Sequence, residues 1–307
     1  MLEKTVLCKW PIRYLQDKLL GICTGDLIMI GAGTGNGKST ISRLITSKAV
    51  DDGCPVVLYS LENETGTAVM ERVRQMYNRE HGTNYGEREF EIWHTKDPSL
   101  FEKYRQAIYD QDTRTNSDGL QMLRLHEQVV SLNYGINTLL KSMKAEVALG
   151  YKLFVIDHID VLITQARDEL SQTVENMSKL WEFVSTNGIA VITFSQLGDV
   201  NPSVLCPGTD MMRGSRSKGH RATAVITLAK HDYGYYQMPY PNNKAFPTYM
   251  RITKFRSGGP SCAVVFFDGM KYLDTYQEVS CDLHGYMIDG MTSERLRKYQ
   301  AKQKENQ

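Results

Sequence analysis

The chain has 307 residues, 36 of them Lys or Arg and 35 Asp or Glu, which gives a net charge of +1. Hydrophobic residues make up 41% and charged residues 23%, an ordinary composition for a globular protein with a buried core. No apolar run approaches the roughly 18 residues of a membrane-spanning helix, and the N-terminus lacks the apolar segment of a signal peptide. Because the net charge is close to zero, any polyanion must be bound by a local basic cluster.

The cysteines are scattered along the chain and show none of the close spacings that zinc sites use. They are Cys8, Cys23, Cys54, Cys206, Cys262 and Cys281. The pattern suggests neither a zinc site nor a disulfide scaffold, and we expect a cytoplasmic protein with reduced thiols.

Short β-rich apolar runs alternate with helical patterns through the first two thirds of the chain. The predicted strands are DLIMI (26–30), PVVLYSL (55–61), QMLRLHE (121–127), KLFVIDH (152–158) and IAVITFSQ (189–196). The predicted helices cover 39–50, 64–79, 136–149 and 168–186, and a polar stretch precedes the third strand. This alternation predicts βαβ units and a mostly parallel sheet that is covered on both faces.

The helix over 168–186 has the clearest periodicity, because apolar residues recur every three or four positions. These residues are Leu170, Val174, Met177, Trp181 and Val184. They predict one buried stripe, and Gly188 is the expected C-cap.

From about residue 222 the runs AVITLAKHD, TYMRITKFRS, AVVFFDG and KYLDTY predict strands without intervening helices. The sheet is therefore expected to end in an antiparallel extension. The domain prediction is an N-terminal arm over 1–20, one α/β domain over 21–281 and a polar tail over 282–307.

The segment AGTGNGKST (32–40) directly follows the first predicted strand and leads into a helix. Glycines allow consecutive backbone N–H groups to point into one concavity, a lysine neutralises phosphates, and a hydroxyl holds Mg²⁺. The strict P-loop pattern begins with glycine, and Ala32 takes that place, so only the relaxed pattern holds. A chance glycine-rich turn is the alternative to a nucleoside triphosphate site. The residues predicted to bind the nucleotide are Gly33, Thr34, Gly35, Asn36, Gly37, Lys38, Ser39 and Thr40.

Two strands that end in carboxylates extend this interpretation. Asp157 ends KLFVID in the manner of a Walker B aspartate that supports Mg²⁺, with Asp160 as a weaker candidate. Glu62 follows the strand after the P-loop helix, where a general base for hydrolysis is expected. The alternatives are a buried strand that happens to end in Asp and a glutamate favoured by a helix N-terminus, for which Glu64 is better suited.

The strand IAVITFSQ ends in Ser195 and Gln196, which are placed to contact the γ-phosphate and to report its loss.

The order of the P-loop, SLE, VIDH, SQL, RGS and KFR resembles the RecA-like motor domain of the DnaB-type hexameric replicative helicases, including phage primase-helicases and the mitochondrial Twinkle helicase. The resemblance extends from about Trp10 to Thr275. It implies an ATP- and Mg²⁺-dependent DNA helicase that acts on single-stranded DNA as a homohexamer.

The resemblance also implies roles for single residues. Lys38 and Ser39 hold phosphates and Mg²⁺, Glu62 is the catalytic base, Asp157 is the Walker B acid, and Gln196 senses the γ-phosphate.

Arg256 falls where the family carries an arginine finger, with Lys254 beside it, and both reach the nucleotide of the neighbouring subunit. Phe267 falls near the adenine-stacking position. The residues alone indicate only that Lys254 and Arg256 share one strand face, which a solvated sheet edge explains equally well.

The family passes single-stranded DNA over two central loops. One corresponds to a locally basic segment that favours phosphate contacts, although a solvated surface loop is the alternative. Its predicted DNA-binding residues are Arg213, Gly214, Ser215, Arg216, Lys218 and Arg221. The other loop, over 197–212, contains no Lys or Arg.

Relatives carry a primase or a helical collar before the motor, whereas here the P-loop begins close to the N-terminus. We therefore expect a bare motor of a phage or other mobile element, with a separate primase or loader. The arm, with Trp10, Ile12 and Leu15, is predicted to pack on the adjacent subunit. The competing function is an ATP-dependent switch or recombination and assembly factor with the same core that unwinds nothing.

Overall fold

A computed structural model describes residues 4–61, 67–83, 85, 87–127, 134–162, 169–198, 204–212, 218–230, 246–268, 271–282 and 284–286. The strands are β1 Val6–Cys8, β2 Ile22–Cys23, β3 Leu27–Ala32, β4 Val56–Ser60, β5 Leu123–Glu127, β6 Leu153–Asp157, β7 Ala190–Gln196, β8 Ala224–Lys230, β9 Phe246–Phe255, β10 Ser261–Phe267 and β11 Tyr272–Val279. The helices are α1 Arg13–Leu19, α2 Lys38–Asp51, α3 Thr67–His81, α4 Glu87–Lys96, α5 Pro98–Thr113, α6 Ile136–Leu149, α7 Glu169–Asn187 and α8 Lys218–Arg221. Within these ranges no helix has both the length and the apolar character needed to cross a bilayer.

The large sheet contains nine strands within the described ranges, in the order β11-β10-β9-β8-β3-β7-β6-β4-β5. The strands from β8 to β5 are mutually parallel, and β9, β10 and β11 extend the sheet in antiparallel fashion. The predicted α/β fold class, with a mostly parallel sheet and an antiparallel C-terminal extension, is confirmed.

All the parallel strands end at one edge of the sheet, which we call the carboxyl edge. Its strand ends are Ala32, Ser60, Glu127, Asp157, Gln196 and Lys230. The opposite edge, where the same strands begin, is the amino edge.

Strand β3 shows why the sheet is covered on both faces. Its residues are all buried, and successive side chains point to opposite sides. Ile28 and Ile30 pack in one core cluster with Ile41 of α2, while Met29 packs in a second cluster with Met143 of α6. A run without polar alternation is typical of a strand between two helical layers, so β3 places the following loop at the carboxyl edge between them.

The polar stretch before β5 contains two helices that the sequence analysis missed. Tyr77 of α3, Phe90 of α4, and Tyr104 and Ile108 of α5 form a small cluster of their own. The sparse apolar positions in this charged segment obscured the helical periodicity. A local signal was present, since Asp97 caps α5 by accepting from the Leu100 N–H, and Pro98 follows it at the first helical position.

The N-terminal arm belongs to the core of its own chain. Trp10, Ile12, Tyr14 and Leu15 are at most 3% exposed and join the cluster beneath the sheet. The Tyr14 hydroxyl lies 2.7 Å from the Ser261 hydroxyl at the start of β10. The prediction that the arm's apolar residues pack on an adjacent subunit is therefore wrong, because their own sheet already covers them.

The buried face of α7 differs from the predicted stripe. Met177, Leu180 and Val184 are fully buried, whereas Val174 is 38% exposed. Buried polar residues, Thr173 and Asn176, take part in the inward face, and no hydrophobic pattern reveals such positions. The side chain of Leu170 lies outside the described residues.

Helix α7 ends as predicted at Gly188, which has a φ of 61° and donates its N–H to the Val184 carbonyl.

Candidate nucleotide-binding site

The P-loop lies between the end of β3 and the first turn of α2, at the carboxyl edge. Gly35 and Gly37 have φ angles of 74° and 90°, which side-chain-bearing residues rarely adopt. Gly37 is also the N-cap of α2, and its carbonyl accepts the N–H of Ile41. The loop leaves the helix N-terminus, with its positive dipole end, facing a concavity that a phosphate fits.

The predicted nucleotide residues around this loop are accessible. Thr34 and Gly35 are exposed, and Lys38, Ser39 and Thr40 are half-buried at the start of α2. The first turn of the helix contains no acidic side chain that repels an anion. Both features fit the phosphates of a nucleotide.

Gln196 ends β7 beside the P-loop. It is paired with Ala32 across the parallel strands, and its side-chain amide donates to the Thr34 hydroxyl at 2.6 Å. This contact brings the predicted γ-phosphate sensor and the phosphate loop together.

Ser195 and Asp160 have a different role from the one the sequence suggested. Ser195 is fully buried, and its hydroxyl donates to the Asp160 carboxylate at 3.0 and 3.2 Å. The backbone N–H of Gln196 donates to the same carboxylate at 2.6 Å. Ser195 therefore faces away from any phosphate, and Asp160 positions the tip of β7, a contact between distant segments that sequence spacing does not reveal.

Asp157 is buried at the carboxyl end of β6, and its backbone is tied to β4 by the Leu61 N–H, which donates to the Asp157 carbonyl. Ser60 is its register partner, so the segment that contains Glu62 leaves the sheet next to Asp157. Glu62 and Glu64 themselves lie outside the described residues. Ser39 and Asp157 offer the oxygen donors that Mg²⁺ prefers, both at the carboxyl edge.

Lys230 is a cation at this site that the sequence analysis missed. It ends β8, and its Nζ lies 3.7 Å from the point where a Cβ on Gly37 would lie. Desolvation lowers the pKa of its amine. The absence of a side chain at Gly37 thus leaves a cradle between the loop and two lysines, Lys38 and Lys230, that suits a polyphosphate.

We expect Lys230→Met to weaken ATP binding about tenfold, because one charge-assisted phosphate contact contributes roughly 1.5 kcal/mol. The variant keeps the apolar stem of the side chain. The measurement is the ATP dissociation constant by calorimetry. Lys152→Met, at an exposed lysine on the amino edge, is the matched control and should bind like the parent. Equal affinities for the two variants would remove Lys230 from the site.

Phe267 also lies at the carboxyl edge, at the end of β10, where it pairs with Phe246. Two strands separate β10 from β3, which sets a lateral distance of about 14 Å at the usual strand spacing. The Phe267 ring is partly buried and lies 5.0 Å from the Tyr272 ring. Its role as an adenine contact stays a prediction.

Lys254 and Arg256 lie at the amino edge, away from the P-loop of their own chain. The Arg256 N–H donates to the Thr223 carbonyl, and Thr223 in turn donates to the Leu27 carbonyl at the start of β3. The length of β3 separates this level from Ala32, a distance of about 17 Å at 3.3 Å per residue. Neither side chain reaches its own nucleotide loop.

Both cationic side chains contact the helix α8 segment. Lys254 donates to the Gly219 carbonyl at 2.6 Å, and Arg256 donates to the Arg221 carbonyl at 3.3 Å. The exposed Arg221 guanidinium lies 5.3 Å from the centre of the Trp181 ring on α7. The predicted DNA residue Arg221 and the predicted finger pair therefore share the amino edge.

The remaining predicted DNA residues, Arg213, Gly214, Ser215 and Arg216, lie outside the described residues, as does the side chain of Lys218. The neighbouring loop over 197–212 is closed at its base, where Leu197 bridges to Met212 and the Gly198 N–H donates to the Met211 carbonyl.

A parallel sheet with a P-loop and polar strand ends at its carboxyl edge defines a P-loop nucleotide-binding protein. The family model "DnaB-like helicase C terminal domain" matches residues 11–273. The chain belongs to this family.

Two solved structures show the same fold at 14% sequence identity. The first, an isolated ATPase domain, has a TM-score of 0.69 and aligns over 88% of this chain and 92% of its own. The second, "The Structure Of A DnaB-Like Replicative Helicase And Its Interactions With Primase", has a TM-score of 0.64 and aligns over 88% of this chain and 62% of its own. A comparison with curated protein sequences finds no match.

Proposed function

We propose that this chain is the ATP-hydrolysing motor of a ring-shaped replicative DNA helicase that translocates on single-stranded DNA. The observation that carries the proposal is the placement of two half-sites on opposite edges of one sheet, in a chain of the DnaB-like family. The P-loop lies at the carboxyl edge, and Lys254 and Arg256 lie at the amino edge. Such a chain completes its site only with a neighbour, as a homohexameric ring provides.

In this proposal Lys38 and Lys230 neutralise the ATP phosphates, Glu62 deprotonates the attacking water, and Gln196 follows the γ-phosphate. Ser39 and Asp157 hold Mg²⁺, which supplies charge neutralisation of the β- and γ-oxygens when bound. Asp160 positions Gln196 through its backbone N–H.

The partners in this proposal are single-stranded DNA and further copies of the chain. The basic segment over 213–221 supplies the phosphate contacts. A separate primase or loader completes the replication machinery, in line with the primase interaction named for one solved relative. A phage or other mobile element is the proposed source.

The test of function measures ATP turnover with and without a single-stranded oligonucleotide, together with strand displacement from a forked duplex. We expect the oligonucleotide to raise turnover and ATP to drive strand separation. The alternative is an ATP-dependent switch without unwinding activity, which the uncharged 197–212 loop favours. DNA-independent turnover without strand separation would support that alternative.

Neutralising Arg213, Arg216 and Lys218 one after another should weaken DNA binding stepwise in the same assay series. Each lost phosphate contact should lower the slope of log K against log salt concentration by about 0.7 on a single strand. Lys96→Ala, at an exposed lysine of α4, is the control and should leave the slope unchanged. A triple variant with the parental slope would place the DNA site elsewhere.

A further inference from the structure

Three cysteine sulfurs meet on the side of the antiparallel extension. The three-cysteine cluster consists of Cys206, Cys262 and Cys281, whose Sγ atoms all lie within 4.8 Å of one another. Cys206 and Cys262 are buried and Cys281 is half-buried, and all are thiols. We propose that this cluster is a structural Zn²⁺ site, with the three thiolates as ligands.

The geometry fits a tetrahedral thiolate site. Thiolates bound to one Zn²⁺ at about 2.3 Å lie about 3.8 Å from one another, which is within the spread of the cluster. Cys262 and Cys281 are closer, at 2.8 Å, and separate by about 1 Å on binding. The third sulfur distinguishes this arrangement from a disulfide, which uses only two.

The ligands come from three separate segments, which explains why sequence spacing did not predict the site. Cys206 lies in the loop after β7, Cys262 on β10, and Cys281 after the end of β11. A site built from distant segments has no short motif. It is recognised only when the fold brings the sulfurs together.

The cluster is held by a hydrogen-bonded frame. The Cys206 N–H donates to the Gly285 carbonyl at 3.0 Å, and Arg251 donates to the Cys206 carbonyl at 3.0 Å. The Thr227 hydroxyl donates to the carbonyl of Pro207, the next residue. These contacts fix the backbone of the first ligand before a metal binds, which reduces the entropic cost of binding.

The electrostatics also suit the ion. Three thiolates and one Zn²⁺ carry a net charge of −1, and the guanidinium of Arg251 lies close enough to balance it. Hydrogen bonds from Cys206 and then Cys262 lower the pKa of the Cys281 thiol, so one thiolate is already stabilised. Binding releases the thiol protons to solvent.

The fourth coordination position is taken by water or by His284, which precedes Gly285 in the chain. The ion would join the loop that contains Cys206 to the β10–β11 hairpin. The effect is a staple between the antiparallel extension and the segment that follows β7.

The test is metal binding to the full-length, reduced protein. Titration with Co²⁺, and then displacement by Zn²⁺, should give one equivalent per chain with thiolate charge-transfer and tetrahedral absorption bands. Cys206→Ser, Cys262→Ser and Cys281→Ser should each raise the dissociation constant at least about 100-fold, since even outer-shell partners contribute 10–100-fold. Cys23→Ser, at a half-buried thiol in β2, is the matched control and should bind like the parent.

A second measurement does not depend on the folding of variants. Alkylation of the parent protein, mapped by mass spectrometry, should become at least about tenfold slower at the three cluster cysteines when Zn²⁺ is present. Cys23 should react at the same rate with or without the ion. Equal alkylation of the cluster in both conditions would overturn the proposal. So would metal binding that survives all three serine substitutions, or a Cys262–Cys281 disulfide in a protein that binds no Zn²⁺ when reduced.

Discussion

Arg256→Ala subunits should bind ATP with normal affinity and hydrolyse it about 10³–10⁵-fold more slowly, the effect of losing an arginine finger. The guanidinium stabilises charge that develops on the transferred phosphoryl group, so ground-state binding is spared. Arg256 lies at the amino edge and acts on the nucleotide of a neighbour. The measurements are ATP affinity by calorimetry and steady-state phosphate release. Arg105→Ala, at an exposed arginine of α5, is the control.

Mixing distinguishes action on a neighbour from action within one chain. Lys38→Ala subunits lack the P-loop lysine and are inactive alone, as Arg256→Ala subunits are. In a mixture, some interfaces join an intact P-loop to an intact finger, so partial activity should return. No rescue in a mixture shown to co-assemble would contradict the role of Arg256. Turnover per chain that stays constant down to a demonstrated monomer would exclude the ring.

Glu62→Gln should preserve ATP binding and slow hydrolysis by about 10²–10⁴-fold, the usual range for removal of a general base. The amide keeps the shape of the side chain but accepts no proton at neutral pH. Single-turnover kinetics with ATP in excess of its dissociation constant separate the chemical step from product release.

Glu64→Gln is the matched control for this variant, two residues further along the same segment, and should retain near-parental turnover. If Glu64→Gln is the slow variant and Glu62→Gln is not, the base is Glu64. Parental rates in both would place the base outside this segment.

Local signals predicted the phosphate loop well. Glycines at 33, 35 and 37 between an apolar strand and a helix have few other uses, and the observed β3 and α2 lie within two residues of the predicted bounds. Helix α6 has the predicted bounds, Ile136–Leu149. Elements with a strong hydrophobic period are determined largely by their own sequence.

Features that depend on tertiary contacts were missed. Asp160 acquires its role only when β6 and β7 become neighbours, and Lys230 only when β8 pairs with β3. The arm resembled a linker because its cover, the start of β10, comes some 250 residues later in the chain. Buried polar residues such as Thr173 shifted the inward face of α7. In each case the deciding partner is distant in sequence.

The position of the half-sites on opposite edges of the sheet restricts the symmetry of any active assembly. An isologous twofold dimer places equal edges together, so it cannot pair a P-loop with a finger in both directions. A heterologous, head-to-tail contact does, and an open row of such contacts always leaves one incomplete site at its end. Closure removes that end and completes the last site, so the number of active sites equals the number of chains only in a closed ring.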